Sequence, residues 1–135
     1  MYNRLYVHLE KCNILSNLQF GFRSKHSANH ALVALIEKIK LCLDEGDFAC
    51  GIFTDLQKAF DTLHQYILLQ KLEAYGVRSN VYEWFRSFLS NRKHFVALND
   101  QSSDTLDITY GVPQGSVLGP LLFLIYINNF QHCLS

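Results

Sequence analysis

The chain has 135 residues, room for one domain, and 49% of them are hydrophobic, which excludes disorder over most of its length. Twelve Lys and Arg balance twelve Asp and Glu, so a free-standing nucleic-acid binder with a global basic excess is excluded, and any nucleic-acid contact must run through local basic patches. The start, Met1-Tyr2-Asn3-Arg4-Leu5, has no apolar signal core; the longest apolar run, 117–127, holds Gly119-Pro120 and falls short of the ~20 residues of a membrane span; and the cysteines form neither Cys-x-x-Cys nor zinc spacing, which together predict an intracellular, reducing compartment (nucleus or cytoplasm) and no membrane.

Residues 1–15 read as the end of a helix, with Leu5, Leu9 and Cys12 on one face. Domains rarely begin inside such an element, so a truncated piece is expected. Residues 16–26 form a polar loop punctuated by Gly and aromatics. Ser27 is a plausible N-cap for a helix over 27–45, where Ala31, Leu32, Leu35, Ile36, Ile39 and Leu43 recur at helical spacing and Gly46 follows as a C′ residue. This helix is expected to pack on a sheet. The apolar run 48–53 reads as a strand buried on both faces, and Cys42 and Cys50 read as core thiols.

That run ends at Asp55. From spacing alone, Asp55 either caps a following helix or stands at the carboxyl end of a buried strand, where open α/β sheets place their chemistry. Beyond Thr62-Leu63-His64 a helix is predicted from about Gln65 to Ala74, with Ile67, Leu68 and Leu72 as its stripe and Gly76 closing it. Ser79-Asn80 is predicted to cap a helix over 80–90 that faces inward through Val81, Trp84, Phe85, Phe88 and Leu89. Residues 94–98 and 105–110 alternate loosely about a polar segment, 99–104, and predict a hairpin with a longer loop. Gly111-Val112-Pro113-Gln114-Gly115 reads as a tight turn. Pro120 then sits early in a last helix that runs to about Asn128. His26 and His30 stand at i, i+4 with no third ligand in view and read as surface residues.

Three segments occur in a telling order: Gln19-Phe20-Gly21-Phe22-Arg23, then Asp55-Leu56-Gln57-Lys58-Ala59-Phe60-Asp61, then Tyr110-Gly111-Val112-Pro113-Gln114-Gly115-Ser116-Val117-Leu118-Gly119-Pro120. They resemble the fingers motif and the first two core motifs of reverse transcriptases of the non-LTR (LINE-like) retrotransposon kind, over roughly residues 15–130. The resemblance implies an α/β fold, part of the palm and fingers of a right-hand polymerase. The fingers would take approximately 1–30 and 76–113, and the palm 31–75 and 114–135. It implies RNA-directed DNA polymerase chemistry on an RNA template and a DNA primer, with deoxynucleoside triphosphates as substrates and Mg²⁺ as cofactor.

In such chemistry two Mg²⁺ ions about 3.5–4 Å apart stabilise the attacking and leaving oxygens. The resemblance makes Asp55 a metal carboxylate and the Leu56 carbonyl a second metal contact. It places Phe60 under the nucleotide sugar, where a ring excludes a ribose 2′-hydroxyl, and it sets Arg23 on the triphosphate. Gln114 and Gly115 would border the nucleotide and template. Residue by residue, a core Phe and a surface Arg remain the plain alternatives, and Asp61 reads as structural. The family's other two metal carboxylates lie in an aromatic-Ala-Asp-Asp hairpin after the second motif. No Asp-Asp pair occurs in this chain, and Asn129 stands where the family usually has Asp. The expectation is therefore a polymerase fragment, inactive alone; the rival is a non-catalytic remnant that binds nucleic acid weakly or not at all.

Overall fold

In a computed structural model, residues 1–99 and 101–130 are described. The element order is α1 (Tyr2–Lys11), α2 (Ala28–Asp44), α3 (Gln65–Ala74), α4 (Ser79–Leu89), β1 (Arg92–His94), β2 (Ala97–Leu98), β3 (Gln101–Ser102), β4 (Leu106–Ile108) and α5 (Gly119–Ile127). No helix among the described residues is long and apolar enough to cross a membrane.

The core is built around α3, which packs against both α4 and α5. The α5 sequence, GPLLFLIYI, is apolar on every side, and a helix of that kind must be enclosed. Leu121, Leu122, Leu124 and Ile125 are indeed buried, with Pro120 harmless in the first turn. Leu68, Leu69 and Leu72 of α3 meet them, Phe85 and Leu89 enter from α4, and Leu5 and Leu9 enter from α1. Each fully buried side chain of this size contributes about 1.5–3 kcal/mol relative to exposure.

Local signals set the helix ends. Ser27 caps α2, its hydroxyl accepting from the His30 N–H. Gly76, at φ +87°, turns the chain out of α3. The Val77 N–H then reaches back to the Leu72 carbonyl at 3.0 Å, and Val77 is itself buried, a Schellman stop with its hydrophobic contact. For α4 the predicted cap is corrected: the helix starts at Ser79 itself, after Arg78, with no side-chain cap hydrogen bond. Phe85 and Leu89 carry its buried face, whereas Val81 and Trp84 are largely exposed. Trp84 instead stacks on Phe88 at 5.2 Å.

The predicted hairpin forms in two tiers. Lys93 pairs with Asp107 between β1 and β4, and Ala97 with Ser102 between β2 and β3. The second tier lies partly within the segment expected to be loop, because the Val96 N–H donates to Ser103 Oγ at 2.9 Å and the Ser103 N–H to the Val96 carbonyl at 2.8 Å.

Several expectations are overturned. Residues 47–56 form no strand, and Phe48, Ile52 and Phe53 are almost fully exposed. A strand needs partners for its ladder, and no described segment lies alongside this one. Helix α2 forms as predicted but buries no residue: Leu32, Leu35, Ile36 and Ile39 all face water. With no strand at 48–53, the sheet it was to cover is absent from the described residues. Cys50 is accordingly exposed and Cys42 half-buried rather than core thiols; Cys12, expected on the inner face of α1, is exposed too. Cys133 and His132 lie outside the described residues.

Candidate functional site

The site grows from the loop between residues 55 and 64. Lys58 adopts φ +50°, and its carbonyl accepts from the Asp61 and Thr62 N–H groups at 2.8 and 3.1 Å. This tight turn is anchored by Leu63, which is fully buried. It presents the Phe60 and Leu63 carbonyls outward, and the glycine turn zips onto them. The Gly111 N–H donates to the Leu63 carbonyl at 2.7 Å, and the Val112 N–H to the Phe60 carbonyl at 3.0 Å.

The approach is so close that only glycine fits. A Cβ at position 111 would stand 2.9 Å from the Asp61 Cα and 3.0 Å from the Phe60 and Asp61 carbonyl oxygens, and φ there is +77°. The Gly111 carbonyl is held in turn by Gln65 Nε2 at 3.2 Å and Arg92 Nη1 at 3.3 Å. Across the seam, Gln114 Nε2 donates to Asp61 Oδ1 at 2.8 Å. Ser116 Oγ accepts from the N–H of Gly119, the first residue of α5, at 3.0 Å.

Phe60, Gln114 and Gly115 thereby share one cavity of about 560 Å³, with Lys58, Phe22 and Pro113 on its walls. Phe60 is half-buried, edge-on to Phe22 at 6.0 Å and tilted against Phe123 at 4.9 Å. Asp55 and Leu56 are not in this cavity. They line an adjoining one of about 580 Å³ with Lys71, Phe123 and Asn129, and Ala59 borders both. Asp55 is exposed, at the end of the unpaired segment and not of a central strand.

Arg23 lies in neither cavity. Its guanidinium forks onto Glu10, with Nη2 at 3.1 and 3.2 Å from the two carboxylate oxygens, and its Nη1 donates to the Ser16 carbonyl at 2.7 Å. The side chain is 7% exposed. What Arg23 positions in the structure is the loop that carries Phe22 onto Phe60.

Several contributors were not legible in the sequence. Lys71 donates to the Tyr126 carbonyl near the end of α5 and lies over the Tyr126 ring, 5.5 Å from its centre. Asn128 ties the chain after α1 to α5, its Nδ2 donating to the Ile14 carbonyl at 2.6 Å and its Oδ1 accepting from the Ser16 N–H at 2.9 Å. Tyr75 donates to Asn129 Oδ1 at 2.7 Å. All are pairings between residues far apart in the chain, and no local pattern announces them. Asp61, expected to be structural, holds the Gln114 side chain.

Among the described residues no group of three His, Cys, Asp or Glu side chains could hold a metal ion. Asp55 stands as one exposed carboxylate, and the Asp61 carboxylate is engaged by Gln114. The residues described do not fit a two-metal centre by themselves.

The reverse transcriptase (RNA-dependent DNA polymerase) family matches this chain over residues 1–135. A probable RNA-directed DNA polymerase from transposon BS of Drosophila melanogaster is 33% identical over 130 residues, 92% of this chain and 14% of that protein. The RNA-directed DNA polymerase from mobile element jockey of Drosophila melanogaster is 32% identical over 127 residues, 94% of this chain and 14% of that protein. The corresponding probable polymerase from transposon X-element is 31% identical over 118 residues, 87% and 13% of the two chains. The chain thus spans about one seventh of the length of these curated relatives. Its motifs and its whole-length match agree: this chain belongs to the reverse transcriptase family.

Proposed function

We propose that the chain supplies the nucleotide-facing wall of an RNA-directed DNA polymerase of a non-LTR retrotransposon, spanning parts of the palm and fingers of a right-hand polymerase. The division into fingers at about 1–30 and 76–113 and palm at about 31–75 and 114–135 belongs to the same reading. One observation carries it. The second motif's turn is bonded onto the first motif's loop through Gly111 and Gln114, so Phe60, Gln114 and Gly115 line one cavity beside Asp55.

In this reading the cavity takes a deoxynucleoside triphosphate opposite an RNA template, at the end of a DNA primer. Phe60 lies under the sugar and excludes a 2′-hydroxyl by bulk. The flanking Phe22 and Phe123 rings keep it from moving aside. Gln114, held by Asp61, keeps its amide oxygen for an incoming donor. Asp55 and the Leu56 carbonyl are the contacts proposed for Mg²⁺. The described residues do not by themselves complete that centre. A contact between Arg23 and the triphosphate requires its fork to leave Glu10.

The test is a chimera in which this chain replaces the matching segment of the jockey polymerase. Primer extension on an RNA template is expected, and Asp55→Ala is expected to abolish it. Extension that survives Asp55→Ala would overturn the reading. Phe60→Ala in the same chimera should raise ribonucleotide incorporation relative to deoxyribonucleotide. An equal fall in both would return Phe60 to core packing.

A further inference from the structure

The end of α1 brings together a thiol and an imidazole that the candidate site does not use. Asn13, at φ 51°, stops the helix. The Asn13 N–H returns to the Glu10 carbonyl at 3.1 Å, and the Ile14 N–H to the Leu9 carbonyl at 2.9 Å. Cys12 is thereby held as the C-cap, its own N–H on the His8 carbonyl at 3.0 Å. Residues four apart on a helix are neighbours, and Cys12 Sγ stands 3.8 Å from His8 Nδ1.

A contact from a distant part of the chain decides what that nitrogen can do. The other ring nitrogen, Nε2, lies 2.7 Å from the carbonyl of Tyr75, the C-cap residue of α3. A carbonyl oxygen only accepts, so Nε2 carries the hydrogen. In the neutral ring Nδ1 is then a bare acceptor, and it faces the Cys12 thiol. A nucleophile, a base within its reach and a third group that orients the base are the parts of an activated nucleophile. The ring sits at the carbonyl ends of two helices, in the last turn of α1 and against the cap of α3. Such a place suits a cation, so the ring can hold the thiol proton while the sulfur reacts. Cys12 is exposed, and a reagent can reach it. Cys50 is exposed as well, but among the described residues no base is bonded to it.

We propose that Cys12, activated by His8, is a site of covalent modification by soft carbon electrophiles of the α,β-unsaturated carbonyl class. The thiol proton passes to His8 Nδ1 as the sulfur bonds to the β-carbon of the alkene. The alkene's electron pair moves to the α-carbon and carbonyl oxygen as an enolate. The enolate then takes the proton back from Nδ1. The net change is addition of S–H across the double bond, so nothing leaves and no further reactant is needed. The proposal stands apart from the nucleotide reading of the Phe60 cavity, which neither residue lines.

The experiment measures the rate at which acrylamide labels each cysteine of the full chain, read by mass spectrometry of its peptides, at a dilution where the chain is monomeric. At neutral pH Cys12 is expected to react on the order of tenfold faster than Cys50 in the folded chain, and at about the same rate as Cys50 in urea. His8→Gln keeps a donor for the Tyr75 carbonyl but puts an amide where the base stood. It is expected to bring Cys12 down to the Cys50 rate and to leave Cys50 unchanged. Equal rates for Cys12 and Cys50 in the folded parent overturn the proposal. A folded His8→Gln variant in which Cys12 keeps its lead does so too, since exposure alone would then explain it. Should His8→Gln fail to fold, NMR of the His8 ring nitrogens in the parent decides. A neutral ring protonated on Nε2, whose Nδ1 signal moves on Cys12→Ser, bears the proposal out; a neutral ring protonated on Nδ1, or an Nδ1 signal indifferent to Cys12→Ser, overturns it.

Discussion

Gly111 concentrates two costs in one residue. Its φ of +77° is unfavourable for an L side chain, and a Cβ would collide with backbone rather than with a side chain that could swing away. The first term alone is about 1–2 kcal/mol, and the collision adds to it because Asp61 cannot retreat without breaking the seam to Leu63 and Phe60. Gly115 is an internal control, with φ +73° but nothing within 4 Å of its Cβ position. Chemical unfolding should therefore show Gly111→Ala losing clearly more stability than Gly115→Ala; equal losses would mean that the seam is not close-packed. Arg23 gives a second residue-scale expectation. Replacing it with Ala removes the fork from the partly exposed Glu10 carboxylate and one of the bonds on the Ser16 carbonyl, which also accepts from the Gln19 N–H, at up to about 1.5–3 kcal/mol for a charged hydrogen bond, less where water replaces it. Arg23→Lys should recover little, since an ammonium cannot fork onto both carboxylate oxygens and the carbonyl. A fall in stability with no change in nucleotide KM in the jockey chimera would assign Arg23 to the Phe22 loop alone. A raised KM at unchanged stability would place it on the triphosphate.

Elements whose causes are local were legible, and elements whose causes are distant were not. The α3 bounds follow from the sequence because the stripe of Ile67, Leu68 and Leu72, then Gly76, are all short-range signals, although Ile67 proves exposed and Leu69 takes its place in the core. Likewise α2 forms on its Ser27 cap and its periodicity although none of its residues is buried by the described part of the chain. The run at 48–53 carried an equally strong apolar signal, but a strand exists only through the ladder beside it, and none of the described residues builds one. At the site the same rule holds. The Gly-x-Pro-x-Gly spacing announced a turn, and the resemblance named Phe60 and Gln114, yet the Gln114–Asp61 bond and the Phe123 contact join residues that no pattern in the chain links. Amide hydrogen exchange reads this division directly. Residues 48–56 should exchange close to the rate of an unstructured peptide, whereas the Asp47 N–H is held by the Cys42 carbonyl at 3.0 Å, and α3 and α5, buried on each other, should open only with global unfolding. Protection of residues 48–56 to the level of α5 would mean that a ladder partner is present in solution.

At the scale of the whole molecule, two apolar surfaces stand in water next to each other in sequence. One is the face of α2 with Leu32, Leu35, Ile36 and Ile39, and the other is the extended run with Phe48, Ile52 and Phe53. Isolated exposed hydrophobics are ordinary, but runs of them at helical spacing and then along an unpaired backbone are not. The run adds N–H and C=O groups that no described residue pairs in a ladder, which is the template a second chain needs for edge-to-edge pairing. Neutral net charge removes the repulsion that would oppose it. The chain alone is therefore expected to self-associate, visible as a weight-average mass that rises with concentration in sedimentation equilibrium. A charge placed in each surface, Ile36→Glu and Ile52→Glu, should reduce that rise without lowering the unfolding midpoint, because neither side chain is buried in the folded chain. If the double variant associates as strongly as the parent, the contact lies elsewhere on the molecule. If it loses its folded signal, the two surfaces are covered in solution by the chain itself.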